Sequence, residues 1–177
     1  MIEQLPPEVL DSFDEINLPK GELFLRAGEH CKKMGLVASG LLRSFQIDKD
    51  GNDVTTNFFQ EKAFCASYYS FYEREPSFEN IVSLTPVVMY TISYDKLSKL
   101  FQDSFDVNLF GRLTIQNVCI EKDLRISRML QLDAKDRYIW FMKRYPQIIQ
   151  NSPLMYIASY LNMNPGSLSR IRKELAE

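Results

Sequence analysis

The sequence predicts an α+β fold in which an antiparallel barrel or jelly roll is followed by a long helix and a small helical domain. Residues 18–101 lack long helical periodicity and divide into short apolar runs between turns, which is typical of such β-structures. Residues from about 107 to 130 carry apolar side chains at helical spacing, and the last two dozen residues predict two short amphipathic helices. At 177 residues the chain can support two small domains on a shared helix.

The strand candidates in the N-terminal half are apolar or β-branched and are separated by turns that contain Gly, Asp or Pro. Residues 48–52 form the clearest of these turns and predict a hairpin. The stretch up to Ile16 has helical character around residues 8–13, and we expect it to cap the β-domain. The strand candidates cover residues 23–25, 34–38, 41–47, 54–59, 81–84 and 87–92.

A short heptad seam runs along the long central helix. Its members follow a 3-4-3-4 spacing and are Phe110, Leu113, Asn117, Ile120 and Leu124. A buried Asn in such a seam can pair with its twin in a second chain and fix the register of the two helices. The alternative is that this stripe packs on the β-domain and that the protein is a monomer.

A second helix follows, with Asp133 as its N-cap. Its side chains are largely aromatic, and Pro146 marks its end, so we expect it to form the core beneath the last two helices. Only about nine residues, 145–153, separate it from them. A full β-hairpin wing is therefore not expected in this interval.

The C-terminal residues predict a helix-turn-helix. In the first helix an apolar stripe contains Leu154, Ile157, Ala158 and Leu161. Asn162 can end that helix in the left-handed conformation, Asn164 can cap the next one, and Pro165 suits its first position. We expect the second helix to bury Leu168, Ile171 and Leu175 and to expose Ser167, Ser169, Arg170 and Lys173, with Arg172 at the flank. Such a helix fits the major groove of DNA, although an ordinary helical hairpin has a similar pattern.

The charge distribution favours the DNA-binding interpretation. The whole chain has a formal net charge of −2. From Arg125 to the end there are nine Lys and Arg against four Asp and Glu, whereas acidic residues are in excess before that point. A basic C-terminal part on an acidic body is typical of a module that faces phosphate.

Four short motifs, with the helix-turn-helix after them, resemble the Crp/Fnr superfamily of transcription regulators. The motifs are PKGEL at 19–23, GE at 28–29, ASGLLR at 38–43 and DG at 50–51. The resemblance implies an antiparallel, jelly-roll-like β-roll sensor domain over residues 1–104, a central dimerisation helix over 105–130 and a DNA-binding domain over 131–177. Residues 127–132 are then the candidate hinge between the two domains.

The resemblance also implies partners and contact residues. A homodimer would bind double-stranded DNA at a palindromic promoter site, and Arg170 matches the arginine that reaches a guanine edge. Pro165 and Gly166 occupy the two preceding contact positions and cannot read bases with their side chains. We therefore expect DNA contacts from Ser167, Ser169, Arg170, Arg172 and Lys173, with bases read by the first three.

The chain departs from the family pattern where cyclic nucleotides bind. Residues 64–70 contain no Gly-Glu pair, and Ser77-Phe78 stands where an Arg-Ser or Arg-Thr pair would hold the phosphate. A buried phosphate needs a guanidinium or several N–H donors, so we expect no tight cAMP binding. An apolar or planar effector could occupy a pocket of Phe64, Ser67, Tyr68, Tyr69, Ser77 and Phe78, or these side chains could simply replace a ligand.

Other chemistries find little support in the sequence. There is one histidine, His30, and the three cysteines are far apart, so we expect no metal and no cofactor. No catalytic constellation, secretory signal or long apolar run stands out, which indicates a non-enzymatic cytoplasmic protein with free thiols and no membrane partner. Two alternatives remain, namely a β-roll sensor that acts through protein contacts without DNA, and a cyclic-nucleotide sensor with an unconventional pocket.

Overall fold

The computed structural model describes Val9 and residues 11–176, in which eight strands form two four-stranded antiparallel sheets. The strand order is β1-β8-β3-β6 in one sheet and β2-β7-β4-β5 in the other. Apolar side chains from both sheets, including Leu42 and Met89, form the core between them. The strands are β1 (Asp14–Leu18), β2 (Leu23–Leu25), β3 (Lys33–Ser39), β4 (Leu42–Ile47), β5 (Asp53–Phe59), β6 (Phe64–Cys65), β7 (Asn80–Ser83) and β8 (Val87–Ser93).

The sequence patterns predict six of these strands and miss β1 and β6. β1 contains Asp14, Glu15 and Asn17, pairs only with β8, and exposes most of its side chains, so it lacks an apolar run. β6 is only two residues long. The helix expected over residues 8–13 lies partly outside the described residues, and a turn occupies residues 11 and 12.

Seven helices lie among the described residues from Tyr68 onward. They are α1 (Tyr68–Glu73), α2 (Tyr94–Asp103), α3 (Phe105–Gln131), α4 (Ala134–Arg144), α5 (Pro146–Asn151), α6 (Leu154–Tyr160) and α7 (Pro165–Glu174). The α+β fold class is thus confirmed. None of these helices combines the length and the apolar character needed to cross a membrane.

Local capping chemistry sets several helix ends as the sequence predicts. The Asp133 carboxylate accepts a hydrogen bond from the Asp136 N–H at 2.9 Å, and the Asn164 side chain accepts one from Gly166 N–H at 2.8 Å. Asn162 has φ 54°, the left-handed conformation that ends a helix. Between α4 and α6 the described chain forms the short helix α5 and no strand.

Two expectations about the C-terminal half need correction. α3 continues to Gln131, so most of the candidate hinge, residues 127–132, is regular helix and the chain direction changes only at Leu132. In α7 Leu168 is fully buried, but Ile171 is half-buried and Leu175 is exposed, because the last turn of α7 extends beyond the helical core.

The helical core is continuous with one surface of the β-roll. Its fully buried members include Phe141, Ile157 and Leu168, and three roll residues, Leu41, Phe58 and Leu84, join the same cluster. The Phe58 ring lies 5.3 Å from that of Tyr160, centroid to centroid. The helix-turn-helix is therefore packed directly on the β-roll.

Candidate functional site

α7 carries the five side chains predicted to meet DNA, and four of them lie on its exposed surface. Ser167 is half-buried beside the buried Leu168, whereas the exposed members are Ser169, Arg170, Arg172 and Lys173. The structure therefore brings the predicted set together on one short helix.

The turn before α7 holds it firmly on α6. The Met163 N–H donates to the Ala158 carbonyl at 2.9 Å, and Ala158 is fully buried, which lets the two helices approach closely. Arg137 of α4 donates to the Leu161 carbonyl at 2.9 Å. These bonds satisfy carbonyls at the end of α6 and fix the direction in which α7 leaves the turn.

The basic side chains of α7 are electrostatically available. Within the described residues Arg170, Arg172 and Lys173 form no ion pair, whereas Lys135 of α4 lies 3.7 Å from Glu174. Arg172 and Lys173 also lie in the last turn of the helix, where positive charge is favoured by the helix dipole. This surface can attract a polyanion.

The heptad seam on α3 divides between two environments. Phe110 is half-buried, and its ring centroid lies 6.2 Å from that of Phe64 on the roll. The other four members are exposed: Leu113 is 43% exposed, Ile120 46% and Leu124 36%, and Asn117 lies among them. Within the part of the chain that the structure describes, most of this stripe therefore faces solvent.

An apolar cavity lies where the roll meets α1, α2 and the first half of α3. The cavity is small, and part of it is open to solvent. Of the predicted pocket residues, Phe64 and Tyr68 line it, together with Met34, Tyr72, Leu97 and Phe110. Burial raises the pKa of Tyr68 above its ordinary value, so its phenol stays neutral.

The other four predicted pocket residues lie elsewhere. Tyr69 and Phe78 are exposed, with ring centroids 5.2 Å apart. Ser77 is buried and its hydroxyl bonds locally, donating to the Glu79 carbonyl at 2.8 Å. Ser67 is also buried, and its hydroxyl has no hydrogen-bond partner among the described residues.

Arg74 is the basic residue closest in sequence to the family's phosphate position, and its side chain is directed toward α2. The guanidinium lies 4.6 Å from the centre of the Tyr94 ring and 3.4 Å from a carboxylate oxygen of Asp95. In the described chain no group of three or more His, Cys, Asp or Glu residues could hold a metal ion.

Sequence reasoning missed two arginines that connect the roll to the helices. Arg43 of β4 and Arg125 of α3 both bond to β5 and both contact the aromatic rings of α6, Tyr156 and Tyr160 respectively. For Arg43 the sequence offered one local signal, its position between Leu42 and Ser44 in a predicted strand. For Arg125 it offered none.

Comparisons with known proteins agree with this arrangement. Residues 15–104 match the family model for the cyclic nucleotide-binding domain. No curated protein matches the chain. Among solved structures, FixK2 from Bradyrhizobium japonicum superposes with a TM-score of 0.81 at 13% identity, covering 93% of this chain and 84% of that one.

Two further solved structures resemble nearly the whole chain. A protein from Eubacterium rectale assigned to the crp/fnr family of transcriptional regulators has a TM-score of 0.74 at 17% identity and covers 98% of this chain and 85% of its own. CLP of Xanthomonas campestris, described as a c-di-GMP responsive global regulator, has a TM-score of 0.67 at 20% identity, with 95% and 88% covered. At these identities the likeness concerns the fold.

Proposed function

We propose that this chain, which belongs to the cyclic nucleotide-binding domain family, is a sequence-specific DNA-binding transcription regulator of the Crp/Fnr type. The observation that carries the proposal is the exposed basic surface of α7, anchored by Leu168 and free of internal ion pairs within the described residues. A helix of this kind, presented by a preceding helix and a tight turn, fits the major groove. In this assignment residues 1–104 form the sensor domain, 105–130 the dimerisation helix and 131–177 the DNA-binding domain.

The contacts to DNA divide into two kinds. Ser167, Ser169 and Arg170 precede the last turn of α7 and read base edges, whereas Arg172 and Lys173 lie in that turn and meet phosphates. Pro165 and Gly166 begin the helix and offer no side-chain donor. The sequence code must therefore depend on few side chains.

The DNA-binding form is a homodimer joined along α3. The exposed Leu113, Ile120 and Leu124 would be covered by the same residues of a second chain, with Asn117 paired to its twin. A two-fold dimer presents two copies of α7 to half-sites about one helical turn apart, which predicts a palindromic promoter site.

The regulator does not respond to cAMP in this proposal. The phosphate position holds Ser77, whose hydroxyl is engaged by Glu79, and Arg74 is committed to Tyr94 and Asp95. An effector would instead be small and apolar, because the cavity beside α3 is lined by aromatic and aliphatic side chains. Calorimetric titration with cAMP should show no heat of binding at micromolar concentrations, and a measurable micromolar affinity would contradict the proposal.

Selection of bound genomic fragments tests the proposal directly. Purified full-length protein is mixed with sheared genomic DNA at fixed salt, and the retained fragments are sequenced. We expect enrichment of a short inverted repeat. If no fragment is retained, or if retention shows no sequence preference, the alternative of a sensor module that acts through protein contacts replaces this function.

A further inference from the structure

We propose that Arg43 is a positioning residue that holds the helix-turn-helix on the β4–β5 hairpin and thereby sets the direction of α7. This inference rests on the proposed function for its consequence at DNA. The contact itself can be tested without DNA.

Arg43 is buried in an unusual way for a charged residue. Its side chain is only 2% exposed, although it belongs to a strand next to solvent-accessible turns. Its Nη1 and Nη2 atoms donate to the two carboxylate oxygens of Asp53 at 2.5 and 2.6 Å, and Nη1 also lies 2.9 Å from the Thr55 hydroxyl. This is a bidentate, charge-assisted pair that fixes the plane of the guanidinium.

The fixed guanidinium plane lies against the first helix of the helix-turn-helix. Its carbon atom is 3.6 Å from the centre of the Tyr156 ring of α6 and 4.3 Å from that of Phe45. A cation that lies over two aromatic rings is attracted to both of them, and more strongly where water is excluded. Arg43 therefore binds α6 through a contact that depends on the orientation of its guanidinium relative to the Tyr156 ring.

Strand alternation explains how Arg43 reaches α6. Leu42 points into the core between the two sheets, so the next residue points to the opposite side, where α6 lies. Because Leu42 and Arg43 are adjacent, a displacement of β4 in the core of the roll also displaces Arg43. α7 moves together with α6, because only a short turn joins the two helices and Leu168 of α7 is buried in the same hydrophobic cluster as Ile157 of α6.

Two further contacts hold the same two surfaces together. β5 is the outermost strand of its sheet, and the Thr55 N–H donates to the Ser159 hydroxyl of α6 at 2.9 Å. Arg125 of α3 donates to the Thr56 carbonyl at 2.6 Å and to the Tyr160 carbonyl at 3.0 Å. The hairpin, α3 and α6 thus meet at one polar junction.

The chemistry of the junction favours positioning over simple stability. A well-packed apolar residue often stabilises a fold as much as a buried ion pair does, so an arginine here is not needed to fill space. Moreover, the Nε atom of Arg43 is buried without a hydrogen-bond partner among the described residues, which lowers stability. What the arginine adds is a defined plane and direction.

The test compares Arg43→Met with Lys49→Met, which removes one positive charge from the exposed turn of the same hairpin. Hydrogen exchange at the Thr55 amide reports the junction, since its acceptor, Ser159, lies on α6. The Met89 amide, in the middle of its sheet, reports the roll itself. We expect Arg43→Met to speed exchange at Thr55 at least tenfold with no change at Met89, and Lys49→Met to change neither.

The DNA consequence is measured on the best selected fragment. Arg43→Met should weaken binding about tenfold for all sites alike, and Arg43→Lys should not restore it, because an ammonium lacks the planar fork. Unchanged Thr55 exchange in Arg43→Met overturns the proposal. Faster exchange with unchanged affinity overturns the positioning role at DNA, whereas failure of the wild-type chain to bind any fragment overturns only the proposed function.

A second variant covers the case in which Arg43→Met does not fold. Tyr156→Leu removes the ring on the α6 side and leaves β4 untouched. We expect a smaller increase in Thr55 exchange in the same direction. If Thr55 is as protected in Tyr156→Leu as in the wild type, the stacked contact does not hold α6 in place and the proposal fails.

Discussion

Among single side chains, the positive charges of α7 differ in what they can recognise. Arg170 precedes the last turn and carries a planar fork that can bond bidentately to a guanine edge, whereas Lys173 is a compact charge at the end of the helix. Both are exposed and form no ion pair within the described part of the chain. Specificity and affinity should therefore be separable by substitution at these two positions.

Arg170→Ala should weaken binding to the best site by about 1–3 kcal/mol and relax the preference at one base pair. Lys173→Ala, the matched control, should weaken binding equally for all sequences and reduce the salt slope by about one. Fluorescence anisotropy on single-base variants at two salt concentrations measures both effects. A uniform loss in Arg170→Ala would reassign Arg170 to backbone contact.

The Glu121 carboxylate gives the α3–α4 contact a dependence on pH. Partial burial by itself would raise the pKa of Glu121, but hydrogen bonds from Tyr145, at 2.7 Å, and Arg144 outweigh burial and lower this pKa below its ordinary 4.5. A lowered folded-state pKa means that the ionised carboxylate stabilises the fold above 4.5 and that this stabilisation is lost as the pH falls through the lowered value.

Glu121→Gln should accordingly lower the free energy of unfolding at pH 7 by at most about 1 kcal/mol, because both charged partners are partly solvent-exposed. The difference from the wild type should shrink as the pH falls below 4.5. Urea unfolding of both proteins at several pH values measures it. A difference that grows toward acid would show that the carboxylate is stabilised in its protonated form.

At the level of elements, α3 serves two surfaces at once. Phe110 and Ile115 face the cavity beside the roll, while Leu113, Ile120 and Leu124 face outward. A molecule that fills the cavity would press on the same helix that is proposed to join two chains. If the proposed dimer forms along α3, its two faces would connect occupancy of the cavity to the contact between the chains.

Ile120→Glu should convert the proposed dimer to a monomer without unfolding the chain, because Ile120 is already 46% exposed in the single chain. Placing a carboxylate in an apolar seam leaves two like charges opposed and desolvated. Arg112→Glu, an exposed α3 position off the seam, is the control and should remain dimeric. Sedimentation velocity at micromolar concentration measures the oligomeric state of each protein. If the wild type is a monomer, the proposed dimer contact along α3 is wrong.

Elements with a strong local signal could be predicted from the sequence. The caps Asp133 and Asn164 and the left-handed Asn162 place three helix boundaries, because their chemistry acts within a few residues. β1 could not be predicted, since a mostly exposed strand at the end of a sheet needs no apolar alternation. For the candidate site, helical spacing in the sequence predicted which side chains α7 exposes. It did not predict how α6 and α7 pack on the β-roll.

On the scale of the whole molecule, the β-roll has its own core, and the helical core is completed by three further residues of the roll. Leu41, Phe58 and Leu84 have the pattern of ordinary strand residues, and nothing local indicates that they face the helices. The same holds for Arg43, whose ring partner Tyr156 is more than a hundred residues away in sequence. Such long-range contacts leave no periodic signal, which is why the sequence alone could not predict the junction.

Phe58→Ala should lower the stability of both parts together, by about 3–5 kcal/mol if the cavity does not collapse. The single tryptophan, Trp140, lies in α4 and reports the helical domain, whereas far-UV circular dichroism reports the whole chain. Urea transitions followed by the two probes should coincide in the wild type and in the variant. Separate transitions would show that the shared core does not couple the domains.

The docking of α6 along β5 also has a bearing on solubility. A strand that ends a sheet offers unpaired backbone donors and acceptors to any passing chain, and covering it with a helix removes that hazard. In this protein the contact that holds α6 on the roll also covers this exposed strand. Variants that loosen this contact are thus expected to become prone to aggregation before they lose their fold.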